Sequence, residues 1–216
     1  MPELKGKKIL ITAGPTHESI DPVRFISNHS SGKMGIAIAE EALSYGAEVT
    51  LICGPSNVKS SNAIKRVDVK SAQNMFDAVM HKQNENDILI LSAAVADYRP
   101  KNVAESKIKK KDAQLTIELE PTPDILASLG RTKRQNQLLV GFALETDNEL
   151  ENAKGKLNKK NCDLLVLNSL QDAGAGFGHD TNKVSILDRH NNIATFELKS
   201  KAEVAKDILR TIIAFK

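Results

Sequence analysis

The residues best suited to chemistry stand in one segment, Gly14 to Gly35, with the sequence GPTHESIDPVRFISNHSSGKMG. It follows a short apolar run and opens an apolar-periodic stretch. That is the strand-to-helix junction where an α/β fold presents free backbone N–H groups to an anion. Ser30, Gly32 and Gly35 have the spacing of G-x-G-x-x-G with Ser in the first place, and Ser31 lies between them. Small residues at this spacing let backbone approach a phosphate without a Cβ in the way. Arg24 could pair bidentately with a phosphate. Asn28 could offer its amide to a carbonyl or a developing oxyanion, although an Asn here also serves as a turn or helix cap. His17 and His29 have no carboxylate, Ser or Cys partner placed by spacing and read as surface histidines.

Two familiar motifs are excluded by single residues. A Walker A loop needs G-x-x-x-x-G-K-[ST], but Ser27 occupies the first glycine position and Met34 follows Lys33. A dinucleotide site wants an acid closing the second strand, and that strand ends Cys53-Gly54-Pro55. No Tyr-x-x-x-Lys pair supports a reductase either, since Val49 follows Tyr45 by four residues and Asn102 follows Tyr98. There is no H-E-x-x-H or C-x-x-C metal pattern.

The elements that must position this segment follow from apolar periodicity. Lys8 to Ala13, Glu48 to Cys53, Ile64 to Val69, Asp87 to Leu91, Leu138 to Ala143 and Asp163 to Leu167 read as strands. Helices are expected near Met34 to Tyr45, Ala72 to Lys82, Pro123 to Leu129, Asp147 to Lys159 and Lys201 to Phe215. Lys183 to Asp188 and Ile193 to Leu198 read as a closing hairpin, and Gly174 to Gly178 as a glycine-rich loop. The alternation predicts a three-layer, Rossmann-like α/β domain with a mostly parallel sheet, a single unit over residues 1–216. It lapses between Ser92 and Glu120, where AAVADYRP, a lysine cluster and one alternating run, Gln114 to Leu119, stand together. Long loops of this kind are usually functional or disordered.

Composition narrows the partners. The 216 residues carry a net charge of +3 and only 4% aromatic residues with no Trp, which speaks against nucleic acid as the ligand. The positive charge is local: five lysines fall between Lys101 and Lys111, and four between Lys154 and Lys160. A small anionic ligand accounts for that pattern. No apolar run is long enough to span a membrane, no signal peptide is evident, and Cys53 and Cys162 lie in or beside apolar runs. The expectation is a cytoplasmic enzyme-sized domain.

The Gly14 to Gly35 segment closely resembles the signature of the bacterial phosphopantothenoylcysteine synthetases, the CTP-dependent ligases of coenzyme A synthesis that are often fused behind a decarboxylase. AAVADYRP, KIKK, PTPDIL, GFALET and the K-x-x-x-K of Lys156 and Lys160 recur in the same order, so the resemblance covers essentially the whole chain. It implies that the carboxylate of 4′-phosphopantothenate attacks the CTP α-phosphate, with pyrophosphate as the leaving group. The amine of L-cysteine would then displace CMP from the acyl-cytidylate. It further implies a homodimer, for which Lys183 to Leu198 is one candidate element, and association with a decarboxylase.

Residue by residue, the resemblance gives Lys107 a part in acyl-cytidylate formation, Asn28 a hold on that intermediate, and Arg24 a place in the same site. Asp97 would be a nucleotide and Mg2+ acid. Ala93 and Ala94 would be small residues under the substrate. Pro123, Asp124, Ile125, Leu126, Phe142, Lys156 and Lys160 would hold CTP. Ser30, Ser31, Gly32 and Gly35 would hold substrate phosphate. Lysines at i and i+4 share a helix face, which supports the Lys156 and Lys160 pair independently. Residues 99–113 are expected to form a flap closing over the triphosphate. Two rivals stand beside this reading: an NAD(P)-dependent reductase, and a non-catalytic nucleotide-sensing module.

Overall fold

Apolar runs of four to six residues, bounded by glycine, proline or charged residues, become the parallel strands of a sheet covered on both faces, which is why they lack polar alternation. The computed structural model describes residues 3–110, 114–145, 147–169 and 179–215. In chain order the strands are β1 (Lys8–Ala13), β2 (Glu18–Ser19), β3 (Phe25–Ile26), β4 (Glu48–Cys53), β5 (Lys65–Asp68), β6 (Ile88–Leu91) and β7 (Tyr98–Pro100). They continue with β8 (Leu119–Pro121), β9 (Leu138–Glu145), β10 (Leu164–Ser169), β11 (Thr181–Asn182), β12 (Val184–Asp188), β13 (Ile193–Thr195) and β14 (Lys199–Ser200). The helices are α1 (Lys33–Ser44), α2 (Ala72–Lys82), α3 (Ile125–Thr132), α4 (Glu149–Lys159) and α5 (Lys201–Ala214).

Eight strands form the main sheet in the order β13-β12-β10-β9-β6-β1-β4-β5. The six from β10 to β5 are parallel, and β12 and β13 add an antiparallel edge. This is the Rossmann-like α/β architecture expected from the sequence. Strand side chains alternate between two cores. Ile9, Ile11 and Ala13 of β1 face α1 and α5 with Ile38 and Ile208, whereas Leu10 joins Met75, Leu129 and Leu157 of α2, α3 and α4 on the other face. Burial of such side chains contributes roughly 1.5–3 kcal/mol each.

Several boundaries differ from expectation. The alternating run Gln114 to Leu119 is not a strand along its length; only Leu119–Pro121 pairs, antiparallel with Tyr98–Pro100. Helix α3 begins at Ile125, because the Asp124 side chain accepts the Ala127 N–H and caps it. The second strand of the closing hairpin stops at Thr195, and Lys199–Ser200 pairs with Thr181–Asn182 instead. The loop after β1 holds its own ribbon, β2 with β3. The Gly174 to Gly178 loop and residues 111–113 of the expected flap lie outside the described residues.

Both cysteines are inert by position. Cys53 and Cys162 are buried, and burial pushes the Cys162 thiol up to about 12. Native protein at pH 8 should therefore leave Cys162 unmodified by a thiol-exchange reagent, and react there only after denaturation; rapid modification of Cys162 in the folded state would contradict this placement.

Candidate functional site

The strand order reverses at β1, with β4 and β5 to one side and β6, β9 and β10 to the other. In an open parallel sheet the crevice beyond the strand C-termini at such a switch point is where ligands bind. A cleft of about 900 Å3 opens there. Its floor is tied together by backbone. Ala94 N donates to Gly14 O at 2.9 Å and Pro15 bridges Ala94 in parallel. The side-chain oxygens of Thr12 and Thr16 accept the N–H groups of Ala93 and Ala96 at 3.1 and 3.0 Å.

The loop reaches α1 through Gly32, whose φ of 81° is left-handed and suits glycine. No side chain caps α1 and no acid stands in its first turn, so its leading N–H groups face the cleft mouth. Ser30 Oγ accepts Gly32 N at 3.3 Å, and Ser56 Oγ donates to Ser31 O at 2.7 Å, which fixes the approach to the helix. Gly35 lets α1 lie against β1, since a Cβ there would sit 2.7 Å from the Ala13 Cβ.

Most residues singled out from the sequence meet at this cleft. Asn28, Ser30, Ser31, Gly32 and Gly35 line it from the loop and α1, and Ala93, Ala94 and Asp97 from the segment after β6. Pro123, Asp124, Ile125 and Leu126 line it at the start of α3, Phe142 on β9, and Lys156 and Lys160 from α4. Arg24 and Lys107 are not among the lining residues. Arg24 turns instead to Asp21, with its Nη2 2.6 Å from Oδ2, and Lys107 is exposed on the lysine-rich segment. The Asn28 amide nitrogen donates to Ala94 O at 3.0 Å and Val95 O at 3.2 Å, so its donors are committed to the cleft floor and its carboxamide oxygen remains for a ligand.

Lysines give the cleft two positive ends. At one, Lys160 pairs with Asp124, and Lys156 lies one turn earlier on α4. Burial pushes the Asp124 carboxyl up, but hydrogen bonds from Lys160 and the Ala127 N–H outweigh it and hold it below the usual carboxylate range. At the other end, beside the start of α1, Lys33 and Lys201 both line the cleft. Lys33 Nζ lies 2.5 Å from Asp180 Oδ1, and Lys201 Nζ donates to His179 O. Burial first, and then the like charge of Lys33, pull the Lys201 ammonium below the ordinary lysine value. Sequence reasoning did not assign Lys33, Lys201 or the buried Asn182. Lys33 was visible as a cation at the helix start, but nothing in the spacing brings Lys201 back to α1; the packing of α5 against α1 does that.

The histidines stand apart from this chemistry. His17 stacks on Phe25 with ring centroids 3.8 Å apart, and burial and the Lys70 charge lower its pKa. No described histidine or cysteine lines the cleft.

The model of the DNA/pantothenate metabolism flavoprotein C-terminal domain matches residues 4–215. A protein named "Cysteine/Cysteine sulfinic acid decarboxylase", from an unknown prokaryotic organism, is 56% identical over 97% of this chain and 59% of its own length. The coenzyme A biosynthesis bifunctional protein CoaBC of Bacillus subtilis (strain 168) is 46% identical over 98% of this chain and 52% of its own. The crystal structure of the C-terminal domain of a coenzyme A biosynthesis bifunctional protein CoaBC superposes with a TM-score of 0.85 at 45% identity, covering 99% of this chain and 97% of that one. The chain thus spans somewhat over half the length of the curated relatives it matches.

These findings correct the assignment to the CTP-dependent synthetases. The matching family is described as a flavoprotein domain and the 56%-identical relative is named a decarboxylase, and neither name describes a ligase with CTP and Mg2+. Asp97 is an exposed carboxylate on the cleft wall, and no group of three His, Cys, Asp or Glu able to hold a metal occurs among the described residues. Lys107 and Arg24 lie outside the cleft wall. The association with coenzyme A synthesis and with bifunctional fusions does hold among the relatives. Among the described residues no helix is long and apolar enough to cross a membrane.

The family's description implies a flavin. A flavin ring needs a flat apolar slot with polar groups at its edge. The aromatics on the cleft wall are Phe142 and the half-exposed Tyr98, and no ring contact joins them among the described residues. The remaining walls mix Met34, Leu91, Val95, Ile125 and Leu126 with small residues, amides and lysines. Among the described lining residues no stacked aromatic pair is present to sandwich the ring, and these residues do not fit a flavin.

Proposed function

Because the chain belongs to the DNA/pantothenate metabolism flavoprotein C-terminal domain family, we propose that it serves coenzyme A biosynthesis within a protein of decarboxylase activity, as the domain that holds a phosphorylated pantothenate derivative. The carrying observation is the cleft at the switch point, with uncapped N–H groups of α1 and lysines at two ends. 4′-Phosphopantothenoylcysteine matches that layout in chemistry, with a phosphate at one end and the cysteine carboxylate at the other. The phosphate belongs at the α1 end, where helix N–H groups, Lys33 and Lys201 favour a dianion. The carboxylate belongs at the α4 end with Lys156 and Lys160. Ala93, Ala94 and Gly32 leave room for the pantothenoyl chain against backbone, and the Asn28 carboxamide oxygen can accept one of its amide N–H groups.

Titration calorimetry tests this with 4′-phosphopantothenoylcysteine, its dephosphorylated counterpart and flavin mononucleotide. The phosphorylated compound should bind, and removal of the phosphate should weaken binding at least tenfold. Equal affinity for the two pantothenoyl compounds, or binding of the flavin alone, would sink the proposal.

Self-association is part of the same reading. The hairpin Lys183 to Leu198, with Ile193 and Leu198 exposed, is one candidate for a homodimer contact, and a larger group of exposed apolar side chains stands on and beside the two ribbons. Val23, Phe25, Tyr98, Val103 and Leu119 are exposed there, and β2 packs against β7. Exposed apolar patches of this kind mark interaction sites. Sedimentation should show a dimer, and Val23→Ser with Tyr98→Ser should shift it to monomer with the fold intact. A wild-type monomer at high concentration would contradict the dimer, and a dimer unchanged by the double variant would contradict this face.

A further inference from the structure

We infer that Asp21 is a positioning residue, which fastens the lysine-bearing segment 104–110 to the loop that forms the cleft wall. The carboxylate is fully buried while the segment it holds is mostly exposed. Its Oδ1 accepts Val23 N and Arg24 N, each at 2.9 Å, closing the local turn. Its Oδ2 accepts Arg24 Nε at 3.1 Å and Nη2 at 2.6 Å, and also Ile108 N, 87 residues away, at 3.1 Å. Arg24 Nη2 donates onward to Ile108 O at 3.1 Å, and Ala104 N donates to Ile20 O at 3.0 Å.

Ala104 and Ile108, the two tether points, are the half-buried residues of Val103 to Lys110; Lys107, Lys109 and Lys110 are exposed, as is Val103. The attachment is therefore polar rather than a packed core. A buried carboxylate serving a guanidinium and three backbone N–H groups is a charge-assisted network, stronger than neutral bonds. Hydrogen bonds from Arg24 chiefly, aided by those N–H groups, hold the Asp21 carboxyl far below the usual carboxylate range. The network ties the segment that carries Lys107, Lys109 and Lys110 to the loop that continues into Asn28 to Gly32. Position matters for such charges, because exposed ones are screened beyond about 8 Å at physiological salt. Their service to an anion in the cleft rests on the function proposed above; the latch itself does not.

Site-resolved hydrogen exchange on the whole chain separates latch from local turn. In Asp21→Asn, the amides of Ala104 and Ile108 should exchange at least tenfold faster than in wild type, with β1 amides unchanged. Ile108→Pro removes the N–H that Oδ2 accepts without touching the turn. It should release Ala104 likewise while Val23 and Arg24 stay protected, and it decides the matter alone if Asp21→Asn fails to fold. Acceleration confined to Val23 and Arg24 in Asp21→Asn, or Ala104 as slow as wild type in Ile108→Pro, overturns the latch. Both variants should also bind 4′-phosphopantothenoylcysteine about threefold more weakly at low salt, converging with wild type at high salt. Release of the segment with unchanged low-salt affinity overturns the positioning role. Failure of wild type to bind that compound at all is a failure of the proposed function instead.

Discussion

Gly54→Ala should lower stability by about 3 kcal/mol, the upper part of the range for forcing extra atoms into a packed site. For a chain of this size that corresponds to a fall of roughly 6–12 °C in Tm. The reason is geometric. A Cβ on Gly54 would lie 1.7 Å from the Pro15 carbonyl oxygen and 2.9 Å from its carbon, so backbone and not a flexible side chain must give way. Gly54 N donates to Ala13 O at 2.9 Å, and Pro15 bridges Ala94, so the displaced strand end belongs to the cleft floor. Ligand affinity should fall together with stability. Gly155→Ala is the matched control. It lies within α4 with nothing within 4 Å of the added methyl, and it should gain about 0.8 kcal/mol from helix propensity. Thermal and urea unfolding of both variants check the pair. A Gly54→Ala protein as stable as wild type would mean that the close approach of β1 and β4 loops is not needed.

What the sequence made legible was whatever a local pattern specifies. Ile9 to Ile11 and Ile88 to Leu91 are continuous apolar runs, and each lies in a strand at the sheet centre. The spacing of Gly32 and Gly35 marked the helix start, whereas the packing of Gly35 on Thr12 and Ala13 of β1 was not legible, because those partners are distant in sequence. The role of Gly54 was hidden: it read as a strand terminator, and its partner Pro15 is distant in sequence. Asp21 was equally silent, since its main tether, Ile108, is 87 residues on. Lys201 reaches the cleft only because α5 folds back on α1. The ribbons β2–β3 and β7–β8 are two or three residues long, too short for any period to show. The ligand and the reaction were where a resemblance carried over least. Lysines and small residues at a strand-to-helix turn suit many phosphorylated compounds, and pattern alone does not distinguish a nucleoside triphosphate from a phosphopantothenoyl group.

The α4 end of the cleft gives the second large effect. Lys156→Met should weaken binding of 4′-phosphopantothenoylcysteine roughly 10- to 100-fold, the equivalent of a charge-assisted contact of about 1.5–3 kcal/mol. Lys160→Met should weaken it as well, and for a different balance of reasons. Lys160 is already paired with Asp124, whose other oxygen accepts Ala127 N at 2.8 Å. A ligand carboxylate must therefore share the Lys160 ammonium with a cap of α3. Removing Lys160 leaves Asp124 without its cation, and its carboxyl should then titrate at higher pH than in wild type, since burial alone pushes it up. The depressed carboxyl contributes stability above its unfolded pKa, and this contribution is lost as pH falls through the folded value. Lys160→Met should accordingly lose part of the wild-type stability near neutral pH and show less acid sensitivity from this group, whereas Lys156→Met, which removes only the weakest of the influences that lower Asp124, should stay closer to the wild-type profile. Affinity by calorimetry and stability against pH, measured on the two variants, separate a lysine that meets the ligand from one that also holds the helix cap. Affinity unchanged in both would remove the α4 end from the ligand site and leave the α1 end, with Lys33 and Lys201, to bind the anion alone.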